Sequence, residues 1–434
     1  MMNQLDILWR CKSVDSYRII GGKKLEGELT VSGAKNAVLP ILAGCIITGG
    51  ESKINNCPDL SDVKNMILIL QQLGCKIKRE GSSILVDSKD IHTFRISENL
   101  MRGMRSSVFL MGPMISRFGK VELSYPGGCE IGLRPIDIHL SALRKMGVLI
   151  IEKGGYLQCS AKKLVGSMIP LDFPSVGATE NIMLTAMGAT GETIIINAAR
   201  EPEIVDLQNF LNSCGAKIIG GGTSQIRIKG NGFMKRNRLH DTEYSVMADR
   251  IECGTFLCAA AITGGSVLVN NIDAHSLTMT LSKLVEAGCE IGTGNGKIHL
   301  SAPEKLTAVD CIKTQPYPGF PTDMQSQFLS AMTVAKGTGI ITETIFENRF
   351  KQVDQLRKMG AKISVEGRNA IVTGVPYLTG ARVCAKDLRG GASLVLAALV
   401  AEGETKIEDI FHIDRGYENM EEKLLRMGAD IVRI

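Results

Sequence analysis

The sequence predicts an α/β fold of two domains, built of six repeated helix–strand–helix–strand–strand units with three units in each domain. The length of 434 residues exceeds what one hydrophobic core usually holds. A phrase that ends a helix and begins a strand, as in "LQQLGCKI" and "LRKMGAKI", recurs every 68 to 73 residues. Each phrase contains a glycine typical of a helix C-terminus in the left-handed conformation. These glycines are Gly74, Gly147, Gly215, Gly288, Gly360 and Gly428.

The order of elements within a unit follows from its hydrophobic pattern. Each unit opens with an apolar run of helix length, a glycine turn and a β-rich segment, as in "GTFLCAAAITGGSVLVNN". These first helices are apolar nearly all round, so we expect them to be buried on most faces. The second helices, such as "YENMEEKLLRM", are amphipathic and should cover the outside. A further strand follows a polar turn, as in "GNGKIHLS". A solenoid is the alternative, but solenoid repeats are usually about 20–45 residues long.

Composition excludes several classes of protein. The net charge of +5 comes from 50 basic and 45 acidic residues without a long run of one sign, which argues against a nucleic-acid arm or a polybasic membrane patch. The least charged stretch, Cys253 to Ile272, is interrupted by glycines and predicts helix, turn and strand instead of a membrane span. No CxxC pair or HxxxH spacing occurs, so we predict no metal and no cofactor. The start of the chain lacks a secretory signal, and we expect a reduced, cytoplasmic protein.

Several polar residues are not required by the repeats. They are Lys35 and Asn36 in "SGAKNAVLP", Arg134, Asp137 and His139 in "RPIDIHL", Asp323 in "PTDMQSQF", Asp387 and Arg389 in "DLRGGASL", and Arg415 in "HIDRGYE". Asp323 and Asp387 are each equally well explained as helix N-caps. Lys35 is not explained in that way, because a cation at a helix N-terminus opposes the helix dipole unless an anion binds there. Helix N-termini with nearby Lys and Arg favour phosphate and carboxylate ligands.

One cysteine stands in an unusual setting. Cys129 lies in "YPGGCEIGLRP", among glycines and prolines, whereas most cysteines are small buried hydrophobic residues. Such a segment predicts a turn or loop that presents the thiol.

These motifs together resemble the UDP-N-acetylglucosamine 1-carboxyvinyltransferase family, which is a family of enolpyruvyl transferases, over essentially the whole chain from Tyr17. The matching motifs are "SGAKNA", "PGGCEIGLRP", "SVGATENIM", "NAAREPEIVDL", "FPTDMQSQF", "TETIFENRF", "DLRGGASLVLA" and "HIDRGYE". The resemblance implies a two-domain inside-out α/β barrel. It implies an N-terminal extension at 1–16, domain I at 17–34 and 248–434, and domain II at 35–247, which carries the cysteine loop. The active site would lie in the cleft between the domains.

The resemblance also implies an activity. The family transfers the enolpyruvyl group of phosphoenolpyruvate to the 3-hydroxyl of UDP-N-acetylglucosamine and releases phosphate, which is the first committed step of peptidoglycan synthesis. Cys129 matches the mobile-loop proton donor of the family, which also forms an adduct with phosphoenolpyruvate and is alkylated by fosfomycin. A free thiol with a pKa near about 8.5 is mostly protonated at neutral pH and can act as an acid.

The remaining site residues are implied in the same way. Lys35, Asn36, Arg134, Arg389 and Arg415 would bind phosphoenolpyruvate, Asp323 would be the general base, and Lys35 would join Cys129 and Asp323 in catalysis. Residues for the nucleotide sugar would be Asn36, Arg105, Arg134, Pro135, Ile136, Asp137, Ile138, Phe173, Pro174, Ser175, Val176, Asp323 and Ile345. Family members often have lysine at the position of Phe173. Without ligand we expect the cations to repel one another and to favour an open state.

Three alternatives remain open at this point. A 5-enolpyruvylshikimate-3-phosphate synthase would share the fold and the reaction type, but that family lacks the "PGGC" loop. RNA 3′-phosphate cyclases use related units, but no nucleotidylation histidine is evident here. A UDP-sugar-binding paralogue without activity is the third. The expected partners are phosphoenolpyruvate and UDP-N-acetylglucosamine, with no nucleic acid, no membrane and no obligate protein partner.

Overall fold

Six buried helices form the interior of the protein. The computed structural model describes residues 15–124, 136–232 and 239–434. Nearly every side chain of these inner helices is buried, as the all-round apolar pattern predicts. The inner helices are Lys35–Thr48, Met111–Phe118, Val176–Ala186, Arg250–Ile262, Gln325–Met332 and Leu388–Val400.

A second helix in each unit lies on the outside, and only one face of it is buried. In Met420–Arg426 the buried residues Met420 and Leu424 are one turn apart, while four of the other five residues are acidic or basic and the fifth, Leu425, is exposed. The outer helices are Ser61–Leu73, Asp137–Lys145, Pro202–Ser213, Thr278–Glu286, Val353–Lys358 and Met420–Arg426.

Shorter helical segments connect these elements. They are the α-helix Glu98–Gly103 and the 3₁₀ helices Arg105–Leu110, Ala274–Leu277, Thr322–Met324 and Ile410–Arg415. Three of the 3₁₀ helices carry residues that the sequence assigns to a site, which are Arg105, Asp323 and Arg415.

The described residues form six four-stranded sheets of one plan, together with a short pair, Leu378–Thr379 with Ala401–Glu402. In each sheet an edge strand runs parallel to the first strand of a unit, and the remaining pairs are antiparallel. In spatial order the sheets are Glu243–Ser245, Glu51–Asn55, Ser83–Asp87, Lys76–Glu80; Arg95–Ile96, Lys120–Ser124, Tyr156–Ser160, Leu149–Lys153; Met168–Pro170, Thr190–Ile196, Gln225–Asn231, Lys217–Ile219; Glu26–Thr30, Ser266–Asn270, Lys297–Ser301, Glu290–Gly294; Cys311–Lys313, Thr338–Thr342, Asn369–Thr373, Lys362–Glu366; and Arg382–Cys384, Glu404–Glu408, Tyr17–Ile20, Asp430–Arg433.

The turn between each outer helix and the next strand has the predicted form. All six repeat glycines have positive φ angles, from 91° at Gly360 to 114° at Gly74. A left-handed residue at this point ends the helix and redirects the chain, and glycine adopts that conformation without steric cost.

The buried hydrophobic residues form two separate clusters. The first contains residues from Ala34 to Val246, and the second contains residues from Tyr17 to Val31 and from Ile251 to Ile431. The α/β fold class with buried helices is confirmed. We propose that the two clusters, called here the first and second core, are the interiors of domain II and domain I with the predicted boundaries.

The chain crosses between the cores at two adjacent places. Strand Glu26–Thr30 belongs to a sheet of the second core, yet five residues later helix Lys35–Thr48 begins in the first core. The return crossing lies beside it, because Gly33 and Ala248 form an antiparallel bridge. A Cβ at Gly33 would lie 1.7 Å from the carbonyl oxygen of Asn56, so only glycine fits there.

Candidate functional site between the two cores

Lys35 and Asn36 are the first two residues of an inner helix at a crossing between the cores. The Lys35 side chain is 9% exposed, and its Nζ lies 2.7 Å from a carboxylate oxygen of Asp62. Asn36 is exposed at the same helix start. The helix dipole disfavours a lysine at this position, and the Asp62 carboxylate is the anion that offsets the effect.

Asp62 is the acidic centre of a three-residue cluster. It is the second residue of outer helix Ser61–Leu73, and its side chain is 4% exposed. Arg415, from the second core, donates from Nε at 2.9 Å and from Nη2 at 3.4 Å to the two Asp62 oxygens. We call Lys35, Asp62 and Arg415 the Asp62 cluster.

Charge and burial compete within the Asp62 cluster. Burial lowers the pKa of the Lys35 ammonium, and the Asp62 carboxylate opposes that shift. Burial alone would raise the pKa of Asp62, but Lys35 and Arg415 outweigh it and hold the pKa below its usual value. Asp62 is therefore an ionised, fully engaged carboxylate.

A second carboxylate is held by two arginines. Asp323 accepts from Arg349 Nη2 at 2.7 Å and from Arg389 Nη2 at 3.0 Å. The side chains of Arg349 and Arg389 are 2% and 3% exposed, whereas that of Asp323 is 26% exposed. Arg349 Nη1 also donates to the hydroxyl of Thr322 at 3.0 Å. We call Asp323, Arg349 and Arg389 the Asp323 cluster.

The two clusters belong to one electrostatic site. Arg389 is close enough to Lys35 to lower the pKa of the lysine, so the clusters influence each other. Burial would raise the pKa of Asp323, but Arg389 and Arg349 reverse the shift and hold this pKa well below its usual range. Four residues that the sequence assigns to one site, Lys35, Arg415, Asp323 and Arg389, thus come together.

The N-cap interpretation is right for one aspartate and wrong for the other. Asp387 caps helix Leu388–Val400, because its side chain accepts from the amide of Gly390 at 2.8 Å. Asp323 lies within the 3₁₀ helix Thr322–Met324 and is not a cap. Its carboxylate accepts from the two arginines, which are charged donors that can bind both of its oxygens.

Several of the described residues predicted for the nucleotide sugar lie at two neighbouring helix starts. Ile136 is buried and precedes helix Asp137–Lys145, in which Asp137 is exposed and Ile138 is half-buried. Ser175 caps helix Val176–Ala186 by accepting from Ala178 at 3.3 Å. The two helices are in contact, because His139 Nδ1 lies 2.9 Å from the side-chain nitrogen Nδ2 of Asn181.

The other predicted residues of this group differ in exposure. Phe173 is 42% exposed, and Pro174 and Val176 are half-buried. Ile345 follows Glu343 in the second core and donates its backbone amide to that carboxylate at 2.8 Å. Cys129, Arg134 and Pro135 lie outside the described residues, and so does the side chain of Arg105, although its backbone begins a 3₁₀ helix.

The cations that were expected to repel one another have carboxylate counter-ions in this structure, although Arg415 and Arg389 still lower the pKa of Lys35. Lys35 and Arg415 share Asp62, and Arg349 and Arg389 share Asp323, so each pair of cations has an internal counter-ion. Both carboxylates bring opposite charges within about 3 Å, where attraction outweighs cation repulsion.

Sequence reasoning missed three residues of this region. Asp62 in "LSDVKNM" has the position of an ordinary acidic residue in a first helical turn. Arg349 lies within the quoted motif "TETIFENRF", so the motif itself was the available signal. Arg250 begins an inner helix, which is the same unfavourable placement that singled out Lys35.

Two further properties concern the described residues alone. No group of three or more His, Cys, Asp or Glu side chains within residues 15–124, 136–232 and 239–434 is arranged to hold a metal ion. None of the helices in those ranges has the length and apolar character needed to cross a bilayer.

Similarity to known proteins decides the family. The sequence profile described as EPSP synthase (3-phosphoshikimate 1-carboxyvinyltransferase) matches residues 19–424. A UDP-N-acetylglucosamine 1-carboxyvinyltransferase 2 of Caldanaerobacter subterraneus subsp. tengcongensis is 55% identical over 96% of this chain and 99% of that protein. The chain belongs to the UDP-N-acetylglucosamine 1-carboxyvinyltransferase family.

Other relatives in this carboxyvinyltransferase family are nearly as similar. The protein of the same name, numbered 1, from Symbiobacterium thermophilum is 51% identical over 98% of this chain and 96% of its own length. Among solved structures, the enolpyruvyl transferase NikO of Streptomyces tendae has a TM-score of 0.87 at 24% identity, covering 96% of this chain and 98% of that chain. At that identity NikO supports the fold alone.

Proposed function

We propose that the chain transfers the enolpyruvyl group of phosphoenolpyruvate to the 3-hydroxyl of UDP-N-acetylglucosamine and releases phosphate. The observation that carries the proposal is that Lys35 and Arg415 share Asp62, close to the Arg389 that holds Asp323. The chain is also 55% identical to a transferase named for this reaction. Phosphoenolpyruvate carries a phosphate and a carboxylate, and paired Lys and Arg side chains are suited to both.

The Asp62 cluster and Arg389 would hold phosphoenolpyruvate. The ammonium of Lys35 and the guanidinium of Arg415 both lie on the Asp62 carboxylate, which supports the proposal that these two cations bind an anionic substrate together. Arg389 donates to Asp323 through Nε and Nη2, so Nη1 is the atom that would donate to an added anion. Asn36 and Arg134 would complete the contacts to phosphoenolpyruvate.

Asp323 would act as the general base on the sugar hydroxyl. Its side chain is partly exposed while both of its arginine partners are buried, so the free face of the carboxylate is directed away from them. With its pKa held low it is ionised but weakly basic. Substrate anions placed against Arg389 would weaken its hold on Asp323 and raise the basicity.

The chemistry would be addition followed by elimination. The Cys129 thiol gives its proton to the methylene carbon of phosphoenolpyruvate, while the sugar oxygen bonds to the neighbouring carbon and loses its proton to Asp323. Elimination then breaks the carbon–oxygen bond to phosphate, and the new methyl group returns a proton to the Cys129 thiolate as the double bond is restored. The proton on Asp323 leaves with the phosphate, so both side chains regain their starting states. Lys35 would stabilise the phosphate as it leaves.

The nucleotide part of the acceptor would bind at the starts of helices Asp137–Lys145 and Val176–Ala186. Helix N-termini suit a diphosphate because of the helix dipole, and Arg105 would add a cation. Phe173 and Ile345 would contribute apolar surface to the uridine. Both substrates are small molecules of the cytoplasm, which is where we propose that the protein acts.

Release of phosphate tests the proposal directly. Wild type with phosphoenolpyruvate and UDP-N-acetylglucosamine should release phosphate, and Cys129→Ser should release it far more slowly because its hydroxyl is a much weaker acid. Release with shikimate 3-phosphate in place of the nucleotide sugar would assign the chain to the sister reaction. Binding of the nucleotide sugar without release of phosphate would make it a paralogue without activity.

A further inference from the structure

Arg250 occupies the position in the second core that Lys35 occupies in the first. Each is the first residue of an inner helix, and each follows a crossing segment by the same spacing, because Gly33 pairs with Ala248. Both are cations at the positive end of a helix dipole, and both are buried, at 7% exposure. A buried cation at a helix N-terminus is unfavourable in free energy, so a compensating interaction is expected at each of the two positions.

The counter-ion of Arg250 comes from the opposite core. Arg250 Nε donates to Glu203 Oε1 at 3.0 Å and Nη2 donates to Oε2 at 3.3 Å, with the two side chains 8% and 4% exposed. Glu203 lies in the first turn of outer helix Pro202–Ser213, which packs in the first core. The pair is bidentate and buried, so it fixes both distance and angle between the two helix starts.

Neighbouring groups surround this pair. The Arg250 guanidinium lies 5.5 Å from the centre of the Tyr317 ring, and the Tyr317 amide donates to Glu201 at 3.4 Å. Glu201 thus makes a second contact from the first core to the second. Asp323 is close enough to help raise the pKa of Arg250, so the pair lies at the edge of the site.

Asp249 connects Arg250 to Lys35. Its Oδ1 caps the Arg250 helix by accepting from Ile251 at 2.8 Å and from Glu252 at 2.9 Å, while Oδ2 accepts from the backbone amide of Lys35 at 3.1 Å. Any shift of the Arg250 helix start relative to the first core therefore moves the group that holds the Lys35 backbone.

We propose that Arg250, through Glu203, is a positioning residue that sets where Lys35 stands relative to Arg415 and Asp323 when phosphoenolpyruvate is bound. The inference rests on the proposed function. Lys35 lies in the first core, whereas Arg415, Arg389 and Asp323 lie in the second, so their spacing depends on how the cores meet at the crossing. Arg250 and Glu203 are the buried bidentate pair next to that crossing.

The experiment compares Arg250→Lys, Glu203→Gln and the double variant in the full-length protein. Arg250→Lys keeps the charge but loses the two-point bond, and we expect the KM for phosphoenolpyruvate to rise about 10-fold to 100-fold, because small misplacements at a reacting site have effects of that size. The KM for UDP-N-acetylglucosamine should change by less than about twofold. The double variant should be no worse than the more affected single variant, since both remove one interaction.

A matched control is the pair Arg227–Glu192. It has the same bidentate geometry, at 3.1 and 2.8 Å, but it is about half exposed and joins neighbouring strands of one sheet. Arg227→Lys and Glu192→Gln should leave both KM values unchanged.

Other results would overturn the inference. If Arg250→Lys lowers the melting temperature but leaves the KM for phosphoenolpyruvate unchanged, the pair is structural only. Equal rises in both KM values, or additive effects in the double variant, would also contradict it. Should Glu203→Gln fail to fold, Arg250→Lys alone gives the answer. If wild type releases no phosphate, the proposed function is wrong, and the inference is then tested by binding instead of by KM. The quantity to compare is the dissociation constant of phosphoenolpyruvate in the presence of UDP-N-acetylglucosamine. An equal dissociation constant for wild type and Arg250→Lys would refute the inference.

Discussion

The Asp62 and Asp323 clusters each place one carboxylate between two cations, but they differ in where the parts come from. Lys35 and Asp62 lie in the first core and Arg415 in the second, so the Asp62 cluster joins the cores. All of the Asp323 cluster belongs to the second core, where both arginines are buried and the carboxylate is partly exposed. The Asp62 carboxylate is therefore buried between its cations, whereas the Asp323 carboxylate is partly exposed in front of buried cations.

This difference separates two roles for the same residue type. An enclosed carboxylate such as Asp62 can keep two cations together and adjust their charge, but it has little access to a substrate proton. A partly exposed carboxylate with buried cationic partners, such as Asp323, can accept a proton on its exposed side. The following predictions test that separation.

The largest expected effect is on Asp323. Asp323→Asn should lower kcat by about 10²-fold to 10⁴-fold, because an amide cannot accept the hydroxyl proton. The KM for UDP-N-acetylglucosamine should change little, since the amide can still hydrogen-bond. Steady-state release of phosphate measures both constants. A variant that keeps more than a tenth of the wild-type kcat would remove the distinction between the clusters.

The Asp62 variant should respond differently. Asp62→Asn leaves Lys35 and Arg415 without their counter-ion, and loss of one partner of a buried pair costs about 3–5 kcal/mol of folding free energy. The melting temperature should fall, and inorganic phosphate should restore more stability to this variant than to wild type, because phosphate replaces the lost anion. Thermal melts with and without phosphate measure the difference. An equal phosphate effect on both proteins would show that Asp62 does not occupy the anion position.

The pH dependence should report the change in basicity of Asp323. Activity needs this carboxylate ionised, so activity is present above its pKa and is lost as pH falls through it. The arginines hold the pKa below its usual value near 3.8 in the free protein, and bound anions should raise it. The acidic limb of kcat should therefore lie about one pH unit or more above that of kcat/KM. Arg349→Gln should move the kcat/KM limb upward, and coincident limbs in wild type would contradict this account.

The smallest effect is expected where neither cluster contributes. Phe173 is exposed beside the helix start proposed for the diphosphate. Phe173→Lys would add an exposed cation there, and the KM for UDP-N-acetylglucosamine should fall about twofold to fivefold, as such pairs contribute little. Phe173→Met is the neutral control. A large change in the KM for phosphoenolpyruvate instead would place Phe173 beside the Asp62 cluster.

Much of the fold could be predicted from local patterns. The repeat glycines must adopt positive φ wherever the unit occurs, and all six do. Helices that are apolar all round have no surface to expose, and helix Leu388–Val400 is buried as expected. In these cases the property of each segment depends on its own residues, so the sequence is sufficient.

The partly swapped pairing of the edge strands could not be predicted in this way. Strand Glu26–Thr30 precedes a helix of the first core yet pairs with Ser266–Asn270 of the second, and Tyr17–Ile20 completes a sheet with strands from the C-terminal unit. Each choice depends on which edges are free after the units have packed. That property belongs to the assembled fold.

The sequence by itself determined the repeated unit and the buried helices, and it predicted Lys35, Asp323, Arg389 and Arg415 as residues of one site. Only the tertiary structure decided which acidic side chain pairs with which basic side chain. Asp62 and Glu203 have the local appearance of ordinary acidic residues near helix starts, and their partners lie far away along the chain. Electrostatic interaction depends on distance in space and on burial, and neither is set by neighbours in sequence.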